Sequence, residues 1–303
     1  MRNKYKYLFF LITIFFVNPS FLLANDIFQF NATNLEITEN GNIFEGSNGG
    51  EAFTDDIEIK AKNFKYNKEL NLLISYGNVK LQVKNENIII VADKISYLKE
   101  KEIITAYGNA EIQDLNRKII INSDQIEFKK NDKIIASNGN TEIQDLKRKI
   151  IINSDQIEFK KIDEIITANG NTKIQDLKRK IIINSDQIEF KKIDEIITAN
   201  SNVNLVDKLN NINIDADNVT YLIKDEKILT RGKTFAKIES NYKFFSENVI
   251  FFINEMKLSS NKKTVITDNQ FSSYELGSFI YEIEKEFLRG TDISITSNRN
   301  VPS

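Results

Sequence analysis

The chain has 303 residues, with 41 Lys and Arg against 43 Asp and Glu, and its net charge of −2 sets up no overall field toward nucleic acid or an anionic membrane. It contains no Cys and no His. The usual zinc, copper and haem ligand sets and the Cys-His and Ser-His-Asp nucleophile systems are therefore absent, so no catalytic residue, metal ligand or cofactor is expected.

Arg2, Lys4 and Lys6 precede an apolar run from Tyr7 to Val17, followed by Asn18-Pro19 and a second apolar stretch to Ala24. Residues 1–24 read as a secretory signal cleaved after Ala24, although Leu22 is large for the minus-three position. The first run is well short of the ~20 residues of a spanning helix. Absence of Cys fits such an exported chain. Residues 26–37 are then the expected first edge of a sheet.

From there the sequence repeats. Gly46, Gly77, Gly108, Gly139, Gly170 and Gly232 lie on one series of step 31, with Ser201 in the gap. A second column recurs in the same register, as in Ala92-Asp93-Lys94-Ile95-Ser96-Tyr97 and Ser123-Asp124-Gln125-Ile126-Glu127-Phe128. Weaker copies open at Ala32 and Ser246, which makes about eight repeats over residues 25–256. Residues 143–161 and 174–192 are identical, the mark of recent duplication.

Alternation within each repeat has period two, so the elements are strands and the fold is all-β. Leu73, Ser75, Gly77, Val79 and Leu81 share one face, as do Ile104, Ala106, Gly108, Ala110 and Ile112. In the other half of the repeat the phase slips: Ile57, Ile59 and Ala61 alternate in one parity, Phe64 and Tyr66 in the other. One extra residue that inverts the facing makes a bulge or corner, which places bends at Lys62, Asp93, Asp124, Asp155, Asp186 and Asp217. The glycine column supplies the matching bend in the neighbouring strand.

Short polar connectors such as Asp114-Leu115-Asn116-Arg117 join antiparallel neighbours, so each repeat is one bent hairpin. Eight hairpins give about 16 strands, and at roughly 4.8 Å per strand a stack on the order of 75 Å long. Bends at one level fold the sheet into a V whose arms face each other across an apolar trough; a parallel β-helix is the other shape with stacked columns. Ile89, Ile120, Ile151 and Ile182 fall on the outer face against the alternation. Residues 257–303 leave the repeat.

The motifs apolar-x-Ala-x-Gly-Asn, as in Ile104-Thr105-Ala106-Tyr107-Gly108-Asn109, and apolar-Ala-Asp-x-apolar-x-Tyr, as in residues 91–97, resemble the OstA-like domain of lipopolysaccharide transport, over roughly residues 30–255. That family includes LptA and the periplasmic N-terminal part of LptD, and Glu275 to Ser297 is similar to the segment after the repeats in LptD-like chains. The resemblance implies a V-shaped β-jellyroll that shields the acyl chains of lipid A. The lipid-facing residues it implies here are Phe64, Tyr66, Val79, Leu81, Ile88, Ile90, Ile95, Tyr97, Ile104, Ile112, Ile126, Phe128, Ile143, Ile157, Phe159, Ile174, Ile188, Phe190, Leu205, Val219 and Tyr221. It further implies a non-enzymatic carrier in the periplasm, in association with the outer membrane, whose partners are lipopolysaccharide and related jellyroll domains added at open sheet edges.

Three features have a plainer reading beside the functional one. The apolar face serves equally as a sheet's own core. The Asp column repeats at roughly 9.6 Å, too far for shared calcium ligation, and is expected to bond local backbone. Lys147-Arg148-Lys149, Lys178-Arg179-Lys180, Lys129-Lys130, Lys160-Lys161 and Lys191-Lys192 sit at turns, either solvated or meeting lipid A phosphates at the groove mouth. The alternative function is a structural or adhesive surface β-solenoid lengthened by duplication, and a polysaccharide lyase comes third.

Overall fold

The computed structural model describes residues 28–238 and 242–297; the signal expected at residues 1–24 lies outside them. The chain runs back and forth as one antiparallel meander. It opens with β1 (Gln29–Thr38), β2 (Ile43–Phe53), β3 (Ile57–Ala61), β4 (Asn63–Asn67), β5 (Leu72–Val83), β6 (Ile88–Leu98) and β7 (Ile103–Asp114). The duplicated centre holds β8 (Ile119–Lys129), β9 (Ile134–Asp145), β10 (Ile150–Lys160), β11 (Ile165–Asp176), β12 (Ile181–Lys191), β13 (Ile196–Asp207), β14 (Ile212–Leu222) and β15 (Lys227–Ile238). After it come β16 (Tyr242–Glu247), β17 (Ile250–Phe252), β18 (Lys257–Ser260), β19 (Thr264–Asp268), β20 (Ser273–Leu276), β21 (Ser278–Glu282), β22 (Phe287–Thr291) and β23 (Ser294–Thr296).

All 23 strands among the described residues belong to one sheet. Five passes of the chain are interrupted at the bend and count as two strands each, so the meander has 18 passes where about 16 strands were expected. The difference lies after residue 256. There β18 pairs with β17 and β21, and β19 with β16 and β20, so the ladder continues where the sequence period fades. Every pairing is antiparallel, which excludes the parallel β-helix.

The bends fall where the parity slip puts them, but in the first hairpin the glycine column does not make the turn: Asn48 and Gly49, at φ +61° and +95°, are left-handed there and Gly46 is not. Opposite Asp124 the register shifts by one residue between Asn122/Glu142 and Gln125/Asn138, and the neighbouring strand turns through two successive left-handed residues, Gly139 at φ +80° and Asn140 at φ +41°. A Cβ on Gly139 would stand 2.4 Å from Asp124 Oδ2, so glycine is required there for space as well as for φ. Ser201 holds φ +65° in the one repeat without glycine.

The Asp column bonds the next strand, and not the local backbone that was expected. Asp93, Asp124, Asp155 and Asp186 each accept from the amide of Asn109, Asn140, Asn171 and Asn202, at 2.9, 3.1, 2.9 and 2.8 Å. Inside the bend, Ser123 Oγ reaches the carbonyls of Asn138 and Gly139, both at 2.9 Å.

Alternation on either side of the bend sends one set of side chains inward. In β8 the buried residues are Ile119, Ile121 and Ser123 before the slip and Ile126 and Phe128 after it; in β7 the parity holds from Ile104 and Ala106 to Ala110 and Ile112. Outer Ile120, Ile151 and Ile182 are half-buried, with Gln113, Gln144 and Gln175 as cross-strand neighbours. The two arms therefore share one continuous core, from Phe28 to Tyr281.

Candidate functional site

Every residue expected to face lipid, from Phe64 to Tyr221, lies in this one core, and none is more than 4% exposed. The arms are shut on each other. Where the parity rule gives two arms facing each other across an apolar trough, facing isoleucines fill it, because each such side chain gains about 1.5–3 kcal/mol on burial. The result is a closed apolar seam, bounded on one side by the bends and on the other by the turns at the arm ends.

The turn side of the seam is tied by ions. Inward parity continues past the last apolar residue of each arm, so that Lys130 follows Ile126 and Phe128, and Asp114 follows Ala110 and Ile112; all are buried. Lys161 Nζ stands 2.7 Å from Glu86 Oε2 and 3.5 Å from Asp114 Oδ2, both on the opposite lip, and 4.9 Å from the Phe128 ring centre. Lys192 meets Glu164 on its own lip and crosses the seam to Asp145 at 3.8 Å, with its ammonium 4.9 Å from the Phe159 ring centre. Lys130 pairs with Asp56 at 2.7 Å and with Glu102.

Three arginines cross from the other lip. Arg117 binds Glu164 and donates to the carbonyl of Lys161 at 3.1 Å; Arg148 meets Glu195 at 3.4 Å and the carbonyl of Lys192 at 2.7 Å; Arg179 meets Glu226 at 3.0 Å and the carbonyl of Ile223 at 3.3 Å. Each also holds the aspartate three residues before it, Asp114, Asp145 or Asp176. Tyr221 donates to Asp176 Oδ2 at 3.0 Å.

Charge and burial compete at these sites, and the partner charges win. Burial alone would raise the carboxyls of Asp56, Glu86 and Glu164, but Lys130 beside the first, Lys161 and Lys133 beside the second, and Lys192 and Arg117 beside the third hold all three below the usual range. Lys130, which burial would lower, is raised by Asp56 and Glu102. Burial, with Asp176 adjoining, pushes the Tyr221 hydroxyl well up.

Of the basic turn residues singled out in the sequence, Lys130, Lys161, Lys192, Arg148 and Arg179 are thus committed to closing the seam and are neither solvated nor free for a phosphate. The acids that receive them, among them Asp114, Asp145, Asp176, Asp56, Glu86, Glu102, Glu164, Glu195 and Glu226, were not singled out as partners. The signal of Asp114, Asp145 and Asp176 was present in the parity, which carries each of these aspartates to the inner face.

Fold and seam define a class: an all-β protein of stacked bent hairpins, a V-shaped jellyroll closed along its mouth. No family model matches the chain, and no curated protein matches it. Among solved structures it is similar to LptH of Pseudomonas aeruginosa, described as the LptA homologous periplasmic component of the conserved lipopolysaccharide transport device. The match has 10% identity, covers 50% of this chain and 96% of that one, and has a TM-score of 0.23, too low to carry an argument. Among the described residues no helix is long and apolar enough to cross a membrane.

Proposed function

We propose that the chain is an exported, non-enzymatic carrier that takes the acyl chains of lipopolysaccharide between its arms and conducts the lipid through the periplasm toward the outer membrane. The observation that supports this is the construction of the seam. It is apolar along the whole stack, and on its mouth side the arms are joined by side chains, with the backbone ladder of each arm complete in itself. Opening the mouth therefore breaks ion pairs and apolar contacts but no ladder hydrogen bond. A chain of about 12 carbons gains on the order of 10 kcal/mol on burial, at ~0.8 kcal/mol per methylene, which offsets the arm-to-arm contacts it displaces. Repeats of one kind make successive positions nearly equal in energy, so lipid exchanges like for like as it moves.

The partners in this reading are related jellyroll domains. β1 pairs on one side alone with β2, and β22 and β23 pair with β21 and β20, so each end of the described sheet offers strand edges to which another sheet can add.

A structural β-solenoid is the second reading, favoured by the close packing of the interior. The two separate in cells carrying a photo-crosslinking amino acid at Ile143, 1% exposed, or at the outward Glu142. Lipopolysaccharide adducts at 143 and not at 142 support the carrier; no adduct at 143, or equal labelling, favours the structural reading.

A further inference from the structure

Outside the seam, the two lips carry a second set of side chains that closure leaves unused. On one lip Leu115, Leu146 and Leu177 stand about half exposed, one per repeat. On the other, Ile162 and Ile193 are 72% and 63% exposed. Single exposed apolar residues are ordinary. These recur at the pitch of the repeat on turns that face each other, since the ties Arg117–Glu164 and Arg148–Glu195 bring the turn of Leu115 against that of Ile162 and the turn of Leu146 against that of Ile193.

The charges beside them are sorted. The leucine lip carries the exposed lysines Lys118, Lys147, Lys149, Lys178 and Lys180, and the isoleucine lip carries the exposed Asp163, Asp194 and Asp225, with one lysine among them, Lys224, which donates to the carbonyl of Ile193 at 3.0 Å. None of these side chains makes an ion pair among the described residues. The mouth thus presents an apolar strip with a positive flank and a negative flank, both at one pitch.

We propose that two copies of this chain associate mouth to mouth, related by a two-fold axis that runs parallel to the stack. That rotation keeps the rungs in order and exchanges the lips, so the Asp flank of one copy meets the Lys flank of the other on both sides. Register follows without sliding: Asp163 comes to Lys118, Asp194 to Lys147 and Lys149, and Asp225 to Lys178 and Lys180, while the leucines and isoleucines cover each other. An anionic membrane fits the same strip poorly, because the aspartate row lies beside the lysine row and meets the same surface. The proposal goes beyond the carrier reading and does not depend on it.

The test is sedimentation equilibrium of the purified full chain and of two charge-reversed variants, one with Asp163→Lys, Asp194→Lys and Asp225→Lys, the other with Lys147→Glu, Lys149→Glu and Lys178→Glu. All the changes are at exposed turn positions and all the proteins share the same N-terminal segment, so differences among them report the lips. The expected result is a dimer of the parent chain that weakens about tenfold as salt rises from about 0.05 to 0.5 M. Each variant alone weakens by at least about tenfold, and the two mixed regain the parent affinity to within about threefold, because each then offers what the other lacks. A parent chain that stays monomeric, or variants that fail to recover on mixing, overturns the proposal. Binding of the monomer to phosphatidylglycerol vesicles and not to phosphatidylcholine vesicles overturns it in favour of a membrane.

Discussion

Lys161 places its ammonium 2.7 Å from Glu86 Oε2, a partner 75 residues earlier in the chain and on the facing lip, while its own side chain is 2% exposed. A buried cation so placed is costly to leave alone and costly to remove from its acids. Replacing it with methionine leaves Glu86 with Lys133 alone and Asp114 with Arg117 alone. Lys161→Met is expected to lose about 3 kcal/mol in urea unfolding, whereas Lys147→Met, on the exposed part of the lip, stays within about 0.5 kcal/mol.

Acid is expected to open the mouth. Asp56, Glu86 and Glu164 are held below their ordinary values of 3.8, 4.5 and 4.5. Their contribution is complete above those ordinary values and is lost as pH falls through the lowered ones. Lys130, raised above 10.5, contributes fully below that value and loses its part as pH climbs through the raised one. Binding of an apolar dye is expected to be flat from pH 6 to 9 and to rise below about pH 4. Glu86→Gln, which removes one of the acids, raises dye binding at neutral pH.

Ser201 occupies a left-handed position that five neighbouring repeats give to glycine, and an L side chain costs about 1–2 kcal/mol there. Ser201→Gly relieves this without touching the Asn202–Asp186 bond. Its melting temperature is expected to rise by about 2 °C in calorimetry.

Gly139→Ala combines the same backbone cost with an overlap against Asp124 Oδ2. The loss is expected to be about 3 kcal/mol. Adding Asp124→Ala removes the Oδ2 overlap but also the bond from Asn140, so the cost of Gly139→Ala is expected to be smaller in the Asp124→Ala background than in the parent, as a double-mutant cycle in urea will show.

Locking the mouth separates transport from fold. The chain has no native Cys, so Arg117→Cys with Glu164→Cys can be bridged by a bismaleimide with no competing thiol. Bridged protein is expected to keep its strand spectrum but to lose lipopolysaccharide adducts at Ile143, which return in the unbridged double variant.

The sequence made the bends legible because two independent marks coincide there, a parity slip at each Asp and the glycine column opposite it, broken by Ser201 alone among the central repeats. It undercounted the passes because the mark disappears: position 263, where the next glycine falls due, is lysine, while the ladder through β18 and β19 needs only strand pairing. The core list, Phe64 to Tyr221, was readable because alternation fixes which face is inward. What fills that face was not readable, since isoleucine suits a lipid tail and another isoleucine equally. The mouth was missed for a different reason. A lysine after a strand reads as a solvated turn, and only its parity, shared by Ile126, Phe128 and Lys130, marks it as an inward residue.

The arginine ties across the mouth join residues 47 apart, Arg117 to Glu164, Arg148 to Glu195 and Arg179 to Glu226, which is about one and a half periods of 31. Inserting a whole period shifts every later tie as a block and leaves each donor opposite its acceptor. Inserting half a period exchanges the lips, and lysine then meets lysine. Copying one line of such a chain lengthens the protein without reopening the question of how it closes, and the identity of residues 143–161 with 174–192 is the trace of that step. The molecule's length is in this sense a setting that gene duplication can turn, in clicks of one hairpin.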